Sequence, residues 1–212
     1  MYVPAHFEET RLEVLHDLVR NHPLATIVTL DQDGLNANHI PMELDPEPLP
    51  FGTLRGHVSR ANPMWRDFSS DLGALVIFQG PEIYITPSWY QTKQQSGKVV
   101  PTWNYAVVHA YGPLRTIEDP VWLRALVERL TNRNEAQRAE PWEVADAPGE
   151  YIEGQLGGIV GIEIPIGRLL GKWKVSQNRP EADRKGVARG LQEIGKLDAA
   201  CMADLVDRAQ RD

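Results

Sequence analysis

Between residues 24 and 112 the chain keeps returning to short runs rich in β-branched and aromatic residues, separated by turn signals or at most one helical turn. That spacing leaves too little chain for the crossover helices of a parallel sheet, so the strands are expected to pair antiparallel and close as a barrel rather than build a doubly wound fold. Residues 24–30 and 35–44 bracket the turn cluster Asp31-Gln32-Asp33-Gly34 and read as a hairpin. Three prolines, Pro46, Pro48 and Pro50, make 45–51 a loop. Further strands are expected at 53–58, 74–78, 82–86, 103–112, 159–164 and 168–174, with one helical turn at 62–68.

Helices flank this core. Thr10 and Glu13 form a capping box before Leu12, Leu15, Leu18 and Val19, and Pro23 ends that helix. Asp119 caps a second helix with Pro120 at its first position and Leu123, Leu126, Val127 and Leu130 on one face. Two more are expected at about 181–194 and 198–209. The class is mainly β with flanking helices (α+β), and the organisation is a domain at 1–175 carrying the N-terminal and inserted helices, followed by a helical extension at 176–212.

Composition removes several functions. With 212 residues, 42% hydrophobic and 24% charged, the chain can bury a core without a staple. No apolar run approaches the ~20 residues of a membrane helix, and the N-terminus carries no secretory pattern, so the expected compartment is the cytoplasm. The lone Cys201 excludes a disulfide framework. The six histidines lack the spacing of a zinc hydrolase, no Gly-x-Ser-x-Gly elbow exists, and no glycine-rich phosphate loop opens a helix, so no catalytic or metal residue is assigned. A formal charge of -7 argues against indiscriminate coating of nucleic acid. Residues 168–212 nevertheless hold 10 Lys/Arg against 7 Asp/Glu, with the excess in Arg168, Lys172, Lys174, Arg179, Arg184, Lys185 and Arg189. An anion fits there, as does an ordinary solvated basic face.

Four segments concentrate polar, aromatic and turn-forming residues. In the first, residues 54–63, a strand ends in His57, Ser59, Arg60 and Asn62, a corner that suits a phosphate. It reads equally as a helix cap beside a surface charge. The second, 85–90, carries Ser88, Trp89 and Tyr90, and the third, 100–105, carries Thr102, Trp103, Asn104 and Tyr105. Each sets aromatics beside small hydrogen-bonding groups on a proline-braced turn, which suits a flat heteroaromatic ligand or a core cluster under a hairpin. In the fourth, 171–180, strand alternation places Lys172, Lys174 and Ser176 on one face and Trp173 and Val175 on the other, with Gln177 and Arg179 following. That is an anion-binding strand or a lysine-protected sheet edge.

In these segments and in its opening Met1-Tyr2-Val3-Pro4-Ala5-His6-Phe7, the chain resembles the PaiB family, described as FMN-binding negative transcriptional regulators of the FMN-binding split-barrel group. The motifs carrying the likeness are Gly56-His57-Val58-Ser59-Arg60-Ala61-Asn62-Pro63, Ile85-Thr86-Pro87-Ser88-Trp89-Tyr90, Val100-Pro101-Thr102-Trp103-Asn104-Tyr105 and Lys174-Val175-Ser176-Gln177-Asn178-Arg179. Their order matches to about residue 195, with Val175 standing where Leu or Met is expected. The resemblance implies a split β-barrel homodimer with FMN near the interface and a role in transcription repression. FMN phosphate would be held by His57, Ser59, Arg60 and Asn62 or by Lys174, Ser176 and Arg179, with Trp89, Tyr90, Trp103 and Tyr105 flanking the ring. Direct DNA contact would depend on 168–189, since no helix-turn-helix is evident. The alternatives are an FMN-dependent oxidoreductase of the flavin reductase or pyridoxamine-phosphate oxidase kind, and a heme-binding member of the fold with His57 or His109 as the iron ligand.

Overall fold

The computed structural model describes residues 1–69 and 71–209. Among the described residues there are ten strands: β1 (Glu8–Glu9), β2 (Leu24–Asp31), β3 (Gly34–Pro41), β4 (Glu43–Asp45), β5 (Thr53–Ser59), β6 (Ala74–Ile85), β7 (Thr102–Gly112), β8 (Arg115–Ile117), β9 (Ile159–Pro165) and β10 (Arg168–Lys174). Six α-helices accompany them: α1 (Leu12–Asn21), α2 (Thr92–Ser96), α3 (Pro120–Glu135), α4 (Gly149–Gly157), α5 (Glu181–Ile194) and α6 (Leu197–Arg208). Among the described residues, no helix is long and apolar enough to cross a membrane.

The chain divides into two compact units. The first comprises Met1–Leu18, Gln79–His109 and Leu170–Asp212, and the strand order within it is β1-β10-β7-β6. The second comprises Val19–Phe78 and Ala110–Leu169. In it β6 lies beside the β2–β3 hairpin, and a four-stranded sheet runs β4-β5-β9-β8. The strand pairs whose register is defined are antiparallel, as the short connections require, and neither strand order closes on itself. The helices expected as a C-terminal extension, α5 and α6, belong to the first unit.

Several elements differ from the sequence reading for identifiable reasons. The runs at 74–78 and 82–86 are one strand, β6, in spite of Gly80 and Pro81. A Cβ at Gly80 would meet the Leu18 side chain at 2.9 Å and the Ala106 carbonyl at 3.2 Å, so this glycine admits α1 and β7 rather than ending the strand. Pro81 lies beyond Ile77, the last β6 residue of the recorded pairing with β2, where its missing N–H costs no bond to that neighbour. The second arm of the expected hairpin breaks at Met42 into β3 and β4, which pair with β2 and β5 respectively. Helix α4 was not among the expected helices: Ile152 and Leu156, one turn apart, are buried against Leu123 and Val144. Tertiary packing there outweighs poor propensity. Asp119 caps α3 as expected, its Oδ1 accepting from the Val121 N–H at 3.0 Å.

Candidate functional site

Within the first unit, β7 and the turn after β10 bring the third and fourth segments together. Lys174, at the end of β10, donates its ammonium to Thr102 Oγ1 and to the Trp103 carbonyl. Two residues on, Ser176 takes a left-handed conformation, φ 66°, unusual for a residue with a Cβ. Its hydroxyl and the Asn104 amide hold each other, Nδ2 to Oγ 2.9 Å, with both residues buried. The turn closes with the Arg179 N–H donating to the Ser176 carbonyl at 2.9 Å. Thr102, Asn104, Lys174, Ser176, Asn178 and Arg179 line the resulting recess of about 50 Å³.

The charge balance of this recess is one-sided. Arg179 lies over the Tyr90 ring, its guanidinium carbon 4.8 Å from the centroid. The Lys172 ammonium is 5.3 Å from the Tyr105 ring centroid and donates to the Tyr2 carbonyl at 3.2 Å. Among the described residues none of Lys172, Lys174 and Arg179 pairs with a carboxylate. Burial, then the charges of Lys172 and Arg179, hold the Lys174 ammonium below its ordinary value of 10.5. An ammonium disfavoured by burial and by neighbouring cations is relieved by an anion, and hydroxyl and amide donors supply the hydrogen bonds an oxyanion accepts. A recess of 50 Å³ is the size of a single phosphate-like group, well short of the ~300 Å³ of a whole small-molecule pocket. On β7, Trp103 is 52% exposed, and its ring meets that of Tyr84 (46% exposed) edge-to-face with centroids 6.1 Å apart. This unit therefore offers a cationic recess at Thr102 and an exposed aromatic pair starting at the next residue, which fits a ligand with a planar body and an anionic tail.

The remaining expected residues have other surroundings. Trp89 sits against α5, where a Cβ at Gly190 would meet its ring at 2.4 Å and one at Gly186 its carbonyl oxygen at 2.0 Å. Tyr90 is buried, and Ser88 is exposed with its Oγ accepting from the Lys93 ammonium at 3.3 Å. Gln177 turns back on its own strand, Oε1 accepting from the Val175 N–H at 2.8 Å and Nε2 donating to the Trp173 carbonyl.

The first segment lies in the second unit, where Ser59, Arg60 and Asn62 have protein partners. The Arg60 guanidinium donates from Nε to Gly157 O at 2.9 Å, from NH2 to Ile159 O at 3.2 Å and from NH1 to Glu118 at 2.6 Å. Asn62 caps the 3-10 turn at Pro63–Trp65 through the Met64 N–H and donates to Asn38 Oδ1 at 2.8 Å. Ser59 Oγ accepts from the Ala61 N–H at 3.3 Å. His57 Nδ1 is buried without a hydrogen-bond partner among the described residues, and burial lowers its pKa, so the imidazole is neutral at pH 7.

The sequence reading missed Asn178 in the recess, and Tyr84 beside Trp103. Asn178 was visible as part of the Ser-Gln-Asn-Arg run, but its direction depends on the left-handed Ser176, which no propensity announces. It also missed Asp183, fully buried, whose carboxylate accepts from Thr92 N at 2.9 Å and Thr92 Oγ1 at 2.7 Å. Among the described residues, no group of three or more metal-ligating side chains is clustered.

Comparison with known proteins gives the family and the fold. A family model described as "Putative FMN-binding domain" matches residues 1–168. The Bacillus subtilis protein named "Protease synthase and sporulation protein PAI 2" is 34% identical over 98% of this chain and 97% of its own. An uncharacterized protein of Emericella nidulans is 36% identical over 97% of this chain and 96% of its own. Among solved structures, the flavocytochrome Anf3 of Azotobacter vinelandii superposes with a TM-score of 0.57 at 11% identity, covering 81% of this chain and 72% of that one. An FAD- and heme-binding protein of Mycobacterium smegmatis does so with a TM-score of 0.55 at 19% identity, covering 79% and 73%. At these identities the structural likeness speaks for the fold alone.

Proposed function

The chain belongs to the PaiB family of FMN-binding domains and has its split-barrel fold, and from that premise we propose that it is a flavin-dependent regulator of gene expression, repressing its targets in the cytoplasm as a homodimer. The observation that carries the flavin half is the recess of the first unit, where two cations, Lys174 and Arg179, stand without a carboxylate beside hydroxyl and amide donors. In this reading Lys174 and Arg179 supply charge to the FMN phosphate, Thr102, Ser176 and Asn178 supply hydrogen bonds, and Lys172 adds to the local field. Asn104 positions the Ser176 hydroxyl. Bound FMN supplies one- and two-electron redox chemistry. The exposed Trp103, Tyr84 and Val100, the last 64% exposed, form an apolar surface that a second copy of the chain would cover, placing the cofactor near the dimer interface.

The regulatory half rests on the relationship to the PAI 2 protein together with this anion site. Of the basic residues in 168–189, Arg184 donates to the Gln177 carbonyl at 3.4 Å, Lys185 pairs with Glu181 at 2.6 Å, and Arg189 is exposed. The exposed Arg168 and Arg189 therefore remain the cations for a DNA backbone.

Titration of flavin-free protein with FMN and with riboflavin, followed by flavin fluorescence, tests the reading. FMN is expected to bind at least about tenfold tighter than riboflavin, with Lys174→Gln abolishing that preference through loss of a charged hydrogen bond. Equal affinity for the two would remove the phosphate site. Light scattering on a sizing column should give twice the chain mass. NAD(P)H-driven bleaching of the bound flavin with turnover would replace the regulator by an oxidoreductase. A Soret band without flavin affinity would replace FMN by heme, for which the unpartnered His57 Nδ1 is a possible iron ligand.

A further inference from the structure

In the second unit, strand register decides which side chains share a face. Leu30 lies opposite Leu35 and Val28 lies opposite Leu75, so these four stand together on the face away from the buried Ile27, Thr29 and Val76. They wall a groove of about 680 Å³, within the roughly 300–1,000 Å³ of a small-molecule site. Glycines let its lining segments approach closely. A Cβ at Gly73, whose φ is +66°, would stand 2.8 Å from the Gly112 carbonyl oxygen, and one at Gly112 would stand 2.0 Å from the Pro165 carbonyl oxygen. Leu35 and Leu72, which also line the groove, are 82% and 68% exposed, so apolar surface is left to water along it.

One charge in this lining stands unopposed. The Gly167 N–H donates to the Tyr111 carbonyl at 2.9 Å, and the next residue, Arg168, places its guanidinium carbon 3.8 Å from the Tyr111 ring centroid. Among the described residues no carboxylate or carbonyl engages the N–H donors of that guanidinium. Asp71, the one carboxylate in the lining, has a partner within the protein. Arg168 also covers the single aromatic ring of the lining, so the groove offers aliphatic contact rather than a platform for a flat ligand. We propose that this groove is a binding site for a straight-chain aliphatic carboxylate, its chain along Val28, Leu30, Leu35 and Leu75 and its head on Arg168. A planar carboxylate matches the guanidinium fork, whereas a neutral head would leave the fork unmatched and an ammonium would be repelled by it. The assignment rests on the second unit alone and depends on neither the flavin reading nor the DNA reading.

Calorimetric titration of the full chain with hexanoate, octanoate and decanoate, each below micelle formation, tests the site, with octanol and octylammonium as head-group controls. A single carboxylate should bind per chain, with affinity rising by about twofold to fourfold for each added methylene. Octanol and octylammonium should both bind more weakly than octanoate. Arg168→Gln should cost octanoate about tenfold and leave octanol unchanged. Leu35→Glu, at a side chain already exposed, should abolish octanoate binding while thermal unfolding stays as in the parent chain. Absence of carboxylate binding overturns the proposal, as does an affinity independent of chain length, an octylammonium that binds as tightly as octanoate, or an Arg168→Gln variant that binds octanoate normally. The other occupant for such a face is a second copy of the chain. Light scattering on a sizing column separates the two: the mass of Leu35→Glu should equal that of the parent chain, and a halved mass would make the groove a subunit contact and overturn the ligand assignment.

Discussion

Lys174 lies where three influences on a lysine meet: burial lowers the affinity of its amine for a proton, and Lys172 and Arg179 lower it further. A phosphate favours the charged form, so binding FMN draws a proton back onto Lys174 as pH rises toward the ordinary value of 10.5. FMN affinity should accordingly begin to fall below that value, by at most about tenfold per pH unit for one proton, while riboflavin affinity stays level. Fluorescence titrations at intervals from pH 7 to 9.5 would record this, and Lys174→Gln should flatten the FMN curve to that of riboflavin. A second residue-scale test concerns the buried pair Asn104 and Ser176. Asn104→Ala strands the Ser176 hydroxyl and should cost about 1–3 kcal/mol in urea unfolding. Adding Ser176→Ala should cost little more, and strictly additive losses would mean that the two groups do not sustain each other. Residue types were legible in the sequence at this scale, since Thr102, Asn104, Lys174, Ser176 and Arg179 do share one recess. Direction was not: Gln177 and Trp89 belong to the same motifs, yet one faces its own strand and the other a helix, because long-range packing sets where each side chain points.

Helix α5 shows how an element can be readable while its docking is not. Its span, about 181–194, was readable, and Val187 and Leu191 are buried within it. The notch formed by Gly186 and Gly190 has meaning only once Trp89, distant in sequence, lies in it. Two principles then make opposite forecasts for Gly186→Ala. Helix propensity alone says stabilisation by about 1 kcal/mol. The added methyl would stand 2.0 Å from the Trp89 carbonyl oxygen, backbone that cannot swing away, so overpacking should instead destabilise by about 1–3 kcal/mol. Thermal unfolding decides the sign, and limited proteolysis after residue 174 would show whether α5 comes loose. A stabilised Gly186→Ala variant would mean that Trp89 does not hold the helix. The same distinction explains α4, whose glycines 149, 154 and 157 face open space and which exists because Ile152 and Leu156 are buried. It explains β6 too, where Gly80 marks close approach rather than a break.

At the scale of the whole molecule, antiparallel class and flanking helices followed from spacing, but unit membership did not, because each unit is assembled from segments far apart in the chain. Burial across both units also shapes how the protein meets acid. His57 has its pKa lowered by burial, and His109 by burial and then by the N-terminal ammonium, both from 6.5. In the unfolded chain these imidazoles take up protons as pH falls through about 6.5, whereas in the fold they resist until lower pH, so the unfolded state binds more protons in that window. Stability must therefore fall as pH drops from 7.5 through 6.5, by at most about 1.4 kcal/mol per pH unit for each group and by less for partly exposed rings. The carboxylates act later. Glu9 is raised by burial but held low overall by its bonds to Arg11, and Asp45 is held low by the Glu47 N–H and by Arg55. Their contribution is intact above the ordinary carboxylate range and is lost as pH falls through their lowered values. Urea unfolding should therefore lose stability in two stages, one between pH 7.5 and 5.5 and one below pH 4.5. His57→Gln should reduce the slope of the first stage and leave the second alone. If stability were level between pH 7.5 and 5.5, the imidazoles would be protonating as readily inside the fold as outside it, and burial would not be what sets their charge.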